Sequence, residues 1–152
     1  MTGPPRFHLA IPVDDLDDAR AFYGGVLGCE QGREDEQWVD WNLYGHQVVT
    51  HLARRPEGAA ASDNSASNDN DAAHNAVDGH DVPVPHFGVI LPVPEFHVLS
   101  DRLRARGVTF VIEPYVRFEG QPGEQWTMFF RDPAGNALEI KAFADDGQVF
   151  AT

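Results

Sequence analysis

Two stretches of the chain carry the same order of local signals, and that internal repeat limits the fold more than any other feature. In the first, Phe7-His8-Leu9-Ala10-Ile11-Pro12-Val13 reads as a strand. Asp14 or Asp15 can then cap a helix with Leu16, Ala19, Phe22 and Val26 on one face, and Gly28 closes it. In the second, His86-Phe87-Gly88-Val89-Ile90-Leu91 is the strand and Pro94 suits the first helical turn. Phe96, Leu99 and Leu103 form its apolar stripe, and Gly107 ends it. Asp15 to Gly28 and Pro94 to Gly107 are each 13 positions. His8 to Gly28 spans 20 and His86 to Gly107 spans 21.

Three strands follow each helix. The first set is Leu27–Gln31, Gln37–Asn42 and Gln47–Leu52; the second is Thr109–Glu113, Gln125–Arg131 and Ala137–Ala142. The last strand is entered through Asp132-Pro133-Ala134-Gly135-Asn136, where Asp and Pro start a turn and Gly supplies a positive φ. His8 to Gly45 is 37 positions and His86 to Gly135 is 49, and the 12 extra residues fall in and around Tyr115–Gly123. The pattern predicts an α+β fold of two βαβββ modules, residues 6–53 and 84–144, with an expanded loop in the second and a tail over 145–152. Between them, a linker over 54–83 is small, polar and acidic from Gly58 to Asp81. Such residues cannot offset the entropy of ordering, which predicts a flexible loop with solvated His74 and His80.

The 152 residues suit one compact domain with a real core. A formal charge of −13 argues against a nucleic-acid partner, because phosphate binding needs a cationic face. Cys29 is the only cysteine, so no intramolecular disulfide forms and a reducing compartment fits; as a lone thiol it reads as a small core hydrophobe. The start of the chain has no signal-peptide pattern and no apolar run reaches membrane-spanning length. The expectation is a soluble, cytoplasmic protein without membrane partners.

A duplicated βαβββ unit with a His on each first strand resembles the vicinal-oxygen-chelate superfamily, which includes glyoxalase I, methylmalonyl-CoA epimerase, fosfomycin and bleomycin resistance proteins and extradiol dioxygenases. The most specific stretch is Phe130-Arg131-Asp132-Pro133-Ala134-Gly135-Asn136-Ala137-Leu138-Glu139-Ile140, similar to that family's terminal strand with its metal-binding Glu. Phe7-His8, the helix Ala19-Arg20-Ala21-Phe22-Tyr23 and Leu27-Gly28 support it. Phe7 to Val13, Gly45-His46-Gln47 through His51, and Glu113-Pro114-Tyr115 through Glu124 resemble a bacterial extradiol-dioxygenase-like group. The resemblance implies a concave, glyoxalase-like fold and subunits able to pair as a homodimer.

Alternate side chains of a strand share a face. Leu138 and Ile140 share the face that helices would cover, and Glu139 points to the other. If the two sheets wrap one cavity, as the resemblance implies, His8, His86 and Glu139 converge there as metal ligands. Taken singly, each would read as an ordinary hydrogen-bonded residue; their repeat-equivalent places and the resemblance single them out. Two imidazoles and one carboxylate leave open positions on a divalent metal ion, Fe(II) or Mn(II) foremost, with Zn(II), Ni(II) and Co(II) also compatible.

Aligning Gly45 with Gly135 puts Val49, not a carboxylate, opposite Glu139, and leaves Gln47 and His51 as polar residues of matching parity. His51 can be a fourth ligand, a general acid–base or a cavity His satisfied by a neighbour. The stretch from Tyr115 to Gln125 is expected to border the cavity entrance. There Tyr115 can donate to a substrate oxygen and Arg117 can pair with an anionic group. The stretch can equally be a hairpin-like connection whose polar groups simply meet water. The candidate catalytic residues are therefore His51 and Tyr115, and the candidate substrate contacts Arg117, Glu119 and Gln47.

Three functions fit. The first is an extradiol-dioxygenase-like metal enzyme on a small vicinal-dioxygen, catechol-type substrate. The second is a glyoxalase- or epimerase-type lyase or isomerase, in which a metal stabilises an enediolate, weakened by Val49. The third is a non-catalytic, drug-resistance-type binder of small molecules, for which the three ligands would be superfluous.

Overall fold

The computed structural model describes residues 3–53 and 73–152. Strand β1 (His8–Val13) leads into helix α1 (Leu16–Ala19), which runs on as a π-helical segment, Arg20–Val26. Asp15 is the cap, its carboxylate accepting from the Asp18 amide, and Gly28 takes the expected positive φ of 73°. The wider winding shows in Leu27 N–H donating to the Phe22 carbonyl and Cys29 N–H to that of Tyr23. That winding uses residues 27–29, so β2 begins at Glu30 rather than Leu27 and spans Glu30–Glu34. Strands β3 (Trp38–Leu43) and β4 (His46–Leu52) complete a sheet of order β1-β4-β3-β2, with β1 parallel to β4.

The second sheet repeats that plan. Strands β7 (Phe110–Arg117), β8 (Gln125–Arg131) and β9 (Ala137–Phe143) pair antiparallel in that order. The segment from Phe87 to Leu91 runs parallel beside β9, as β1 does beside β4, bridging at Phe87–Leu138 and Ile90–Lys141. Glu139 N–H donates to the Phe87 carbonyl at 2.8 Å and Leu91 N–H to that of Lys141 at 2.8 Å. Gly88 makes this approach possible, because a Cβ there would lie 1.6 Å from the Glu139 carbonyl oxygen. Helix α2 (Val93–Ala105) follows, with Pro94 in its first turn and Gly107 beyond its end.

Two expectations change. A hairpin, β5 (Ala73–Val77) and β6 (His80–Val84), stands where the flexible loop was expected to reach Asp81. Asp78 and Gly79 turn it with φ of 50° and 76°, the backbone that a two-residue Asp-Gly turn adopts. Residues 54–72 of the expected loop lie outside the described residues. Strand β7 also extends to Arg117, so Tyr115 and Arg117 stand on a strand and the connection shrinks to 118–124.

One apolar core joins both sheets through the helices. Ile11, Trp41 and Val48 of the first sheet share one buried cluster with Phe22, Tyr23, Phe96, Leu99 and Leu103 of the helices and Phe130, Leu138 and Ile140 of the second sheet. Tyr23 stacks on Trp41, while Phe22 reaches Phe130. Polar ties cross the same boundary. The Tyr23 hydroxyl donates to buried Asp132 at 2.8 Å, and Arg102 donates to the free carbonyls of Gly25 and Val26. Since Leu9, Ile11 and Val13 face this core, strand alternation turns His8 away from it, and Leu138 and Ile140 do the same for Glu139.

Candidate active site

His86 stands before the segment that lines β9. Its Nε2 lies 2.9 Å from Glu139 Oε2, and its Nδ1 2.7 Å from the Pro83 carbonyl oxygen. A carbonyl only accepts, so Nδ1 carries a proton and donates it. Nε2 then faces a carboxylate that, when ionised, also only accepts. The contact therefore calls for a positive centre between them, either a second ring proton or a cation. The other Glu139 oxygen accepts from Thr127 Oγ1 at 2.8 Å, and Lys141 Nζ lies 3.8 Å from it. Phe129 meets the His86 ring edge to face, with centroids 5.1 Å apart, and walls one side.

The first sheet carries a matching arrangement. His8 pairs with Gln47 in the β1–β4 register, and its Nδ1 lies 2.7 Å from Gln47 Oε1. Here too Nδ1 is tied to a carbonyl-type oxygen and Nε2 is left for another partner. Both candidate histidines thus present the same nitrogen outward, the orientation that an outer-shell acceptor imposes on metal-ligating His. His8 is exposed and lines an open hollow of about 530 Å³ with Gln47, Asn42, Asp40, Arg33 and Trp41.

His8 is not with His86 and Glu139. Among the described residues no three His, Cys, Asp or Glu side chains are placed to hold one ion. The three expected to converge within one chain instead stand in two separate groupings, His86 with Glu139 and His8 with Gln47, because both sheets turn their apolar faces to the shared core. His51 shares the face of His8 and Gln47, opposite Pro12 and Trp38, and is exposed there, apart from Glu139. The register also puts Val49 beside Ala10 where Glu139 lies beside Gly88, so the missing carboxylate is genuine.

Tyr115 and Arg117 lie on the Thr127–Phe129 side of β7, but neither is free. The Tyr115 hydroxyl donates to Asp78 Oδ2 at 3.2 Å, and Arg117 Nε donates to the same oxygen. Burial, and then the Asp78 carboxylate, push the Tyr115 phenol above its ordinary range, so it stays a donor. The hydrogen bond from Arg117 holds Asp78 below the usual carboxylate range. Glu119 is exposed in the turn beyond the Arg117–Gln125 pair, four residues along β8 from Phe129 and the Glu139 row. Burial pushes the Cys29 thiol up to about 11, which argues against a nucleophilic role.

Sequence reasoning passed over Thr127, the Pro83 carbonyl and Asp78. Thr127 could have been found as the one hydroxyl among apolar residues in β8 on the face of Glu139. Val77-Asp78-Gly79-His80 carries the hairpin signature, masked by the polar tract before it.

Among the described residues no helix is long and apolar enough to cross a membrane. A family model described as the glyoxalase/bleomycin resistance protein/dioxygenase superfamily matches residues 7–140. A solved glyoxalase/bleomycin resistance protein/dioxygenase from Alicyclobacillus acidocaldarius is 31% identical with a TM-score of 0.72, over 99% of this chain and 100% of that one. Lactoylglutathione lyase from Agrobacterium tumefaciens is 22% identical, TM-score 0.62, with 100% of both chains covered. A fosfomycin resistance protein from Listeria monocytogenes is 15% identical, TM-score 0.58, over 93% of each chain. These last two likenesses speak for the fold alone. No curated protein matches the chain.

Proposed function

The chain belongs to the glyoxalase/bleomycin resistance protein/dioxygenase superfamily, and from that premise we propose that it is a divalent-metal enzyme whose site is shared between two copies. His86 and Glu139 of one copy hold the ion with His8 of the other. The observation that carries this reading is the 2.9 Å approach of His86 Nε2 to Glu139 Oε2, with Nδ1 already donated to Pro83. An imidazole nitrogen and a carboxylate oxygen 2.9 Å apart, the first with its other nitrogen already donating, are a donor pair that would suit one divalent ion, so the residues fit the group. Thr127 leaves Glu139 one oxygen free, and Gln47 leaves His8 its Nε2.

The reaction we propose is extradiol-dioxygenase-like, on a small vicinal-dioxygen substrate of catechol type. An ion held by two imidazoles and a carboxylate would supply Lewis acidity and the O₂ chemistry such a reaction needs, which suits Fe(II) or Mn(II) above Zn(II), Ni(II) or Co(II). His51, on the face of His8, takes the proton from a substrate hydroxyl. Phe129 excludes water beside His86. Arg117 and Glu119 are not assigned to substrate, the first because Asp78 holds it and the second because it is remote.

A second reading keeps the same ligands and rests on His51. Gln47 fixes the His8 ring through Nδ1, and with His51 as base on that face the set suits proton transfer at a carbon beside a carbonyl. Metal analysis of freshly purified protein, followed by aerobic turnover of a catechol panel and anaerobic turnover of α-hydroxyketone adducts, tests both. Oxygen consumption with a catechol supports the first reading. Stoichiometric metal with no diol turned over would remove it and leave the second.

A further inference from the structure

The hairpin β5–β6 is fastened to the second sheet at three places beside the metal half-site. At its tip, Asp78 is bound by Arg117 and Tyr115 together. One residue pair further on, His80 lies against the Tyr115 ring with centroids 4.9 Å apart. Next, Val82 is buried with Ile112 and Phe129. The strand these contacts hold in place, β6, carries Pro83 next to its last residue, and the Pro83 carbonyl accepts from His86 Nδ1. Phe129 in turn touches both Val82 and the His86 ring.

We propose that Asp78, Arg117 and Tyr115 are positioning residues for His86: they pin the hairpin so that the Pro83 carbonyl fixes the Nδ1–H tautomer and aims Nε2 at the ion. The argument is one of hydrogen-bond inventory and leverage. An imidazole in water exchanges between tautomers, and only the form with a lone pair on Nε2 can bind metal on the Glu139 side. A single carbonyl, held at 2.7 Å, selects that form. The carbonyl is as well placed as its strand, which among the described residues pairs with one neighbour, β5. A two-stranded hairpin is marginal alone, so its hold on the sheet decides where Pro83 sits. Arg117 supplies that hold as an ion pair at a side chain only 18% exposed. This assigns to Arg117 and Tyr115 a structural service to the metal ligand in place of direct contact with substrate.

The inference rests on the metal reading above, and its test separates the two. Arg117→Gln and Asp78→Asn are compared with wild type, His86→Ala and the charge-exchanged double variant Asp78→Arg/Arg117→Asp. Thermal unfolding first establishes that each is folded. Mn(II) and Zn(II) affinities are then measured by titration, and the hold of Pro83 on the His86 Nδ1–H, which is required whether Nε2 faces a proton or an ion, by ¹⁵N NMR of the metal-free protein. Each single variant is expected to bind metal about tenfold or more weakly and to lose the uniform Nδ1–H signature. The double variant is expected to recover part of both. An unchanged His86 tautomer in Arg117→Gln would overturn the inference, as would a raised KM with metal affinity intact, which would return Arg117 to the substrate. If wild type and His86→Ala bind metal equally poorly, the metal reading has failed, yet the tautomer measurement still decides the role of the hairpin.

Discussion

Thr127 Oγ1 and His86 Nε2 meet the two oxygens of Glu139, so each governs a different part of its chemistry. Replacing Thr127 with Val keeps the shape and removes the donor, which frees the carboxylate to rotate. Metal affinity should fall about tenfold with little change in unfolding temperature, measurable by competition with a chromogenic chelator. Gly88 is more demanding. An added methyl would meet the Glu139 carbonyl at 1.6 Å, and the backbone itself must move to relieve it. Gly88→Ala should cost about 1–3 kcal/mol in urea unfolding and should abolish metal binding by parting His86 from Glu139. Cys29, raised to about 11, should react slowly with iodoacetamide at pH 8 in the folded protein and at an ordinary rate in urea.

At the level of elements, the hairpin introduces a pH dependence. Asp78 has its folded value lowered, chiefly by the hydrogen bond from Arg117, so its contribution is fully present above the ordinary aspartate range. That contribution is lost as the pH falls through the lowered value. The ring contact between His80 and Tyr115, followed by nuclear Overhauser effects, should weaken in that acid range in wild type. In Asp78→Asn it should be weak at every pH. How far these elements were legible in the sequence depends on the signal each carries. Asp15, Gly28, Pro94 and Gly107 punctuate the helices through local backbone chemistry, and all four hold the places read for them. The hairpin escaped because Ala, Ser, Asn and Asp before it dominate any window across the linker, while its stability comes from a sheet distant in sequence. Tyr115 and Arg117 passed for loop residues because Pro114 and two register irregularities break the alternation of β7. Strand parity directs Glu139 away from the core, whereas its grouping with His86 and His8 comes from their repeat-equivalent places and the resemblance.

For the molecule as a whole, the shared core sets what one chain can and cannot do. Tyr23 joins the two halves through Asp132, which also accepts from the Asn136 amide and side chain. Burial and the neighbouring carboxylate raise the Tyr23 phenol, keeping it a donor. Tyr23→Phe should cost about 1–3 kcal/mol without altering metal affinity, because it leaves a buried carboxylate short of one donor. The convergence of His8 with His86 and Glu139 expected from the resemblance is not seen within one chain among the described residues, since parity orients a side chain on its own sheet and says nothing of which sheet stands opposite. The most direct test of the shared site is complementation between His8→Ala and His86→Ala. Each variant alone should bind metal weakly. Mixed in equal amounts and allowed to exchange subunits, they should regain about a quarter of the wild-type sites, because half the dimers then carry one intact set of ligands. Full exchange with no recovered metal would contradict the account.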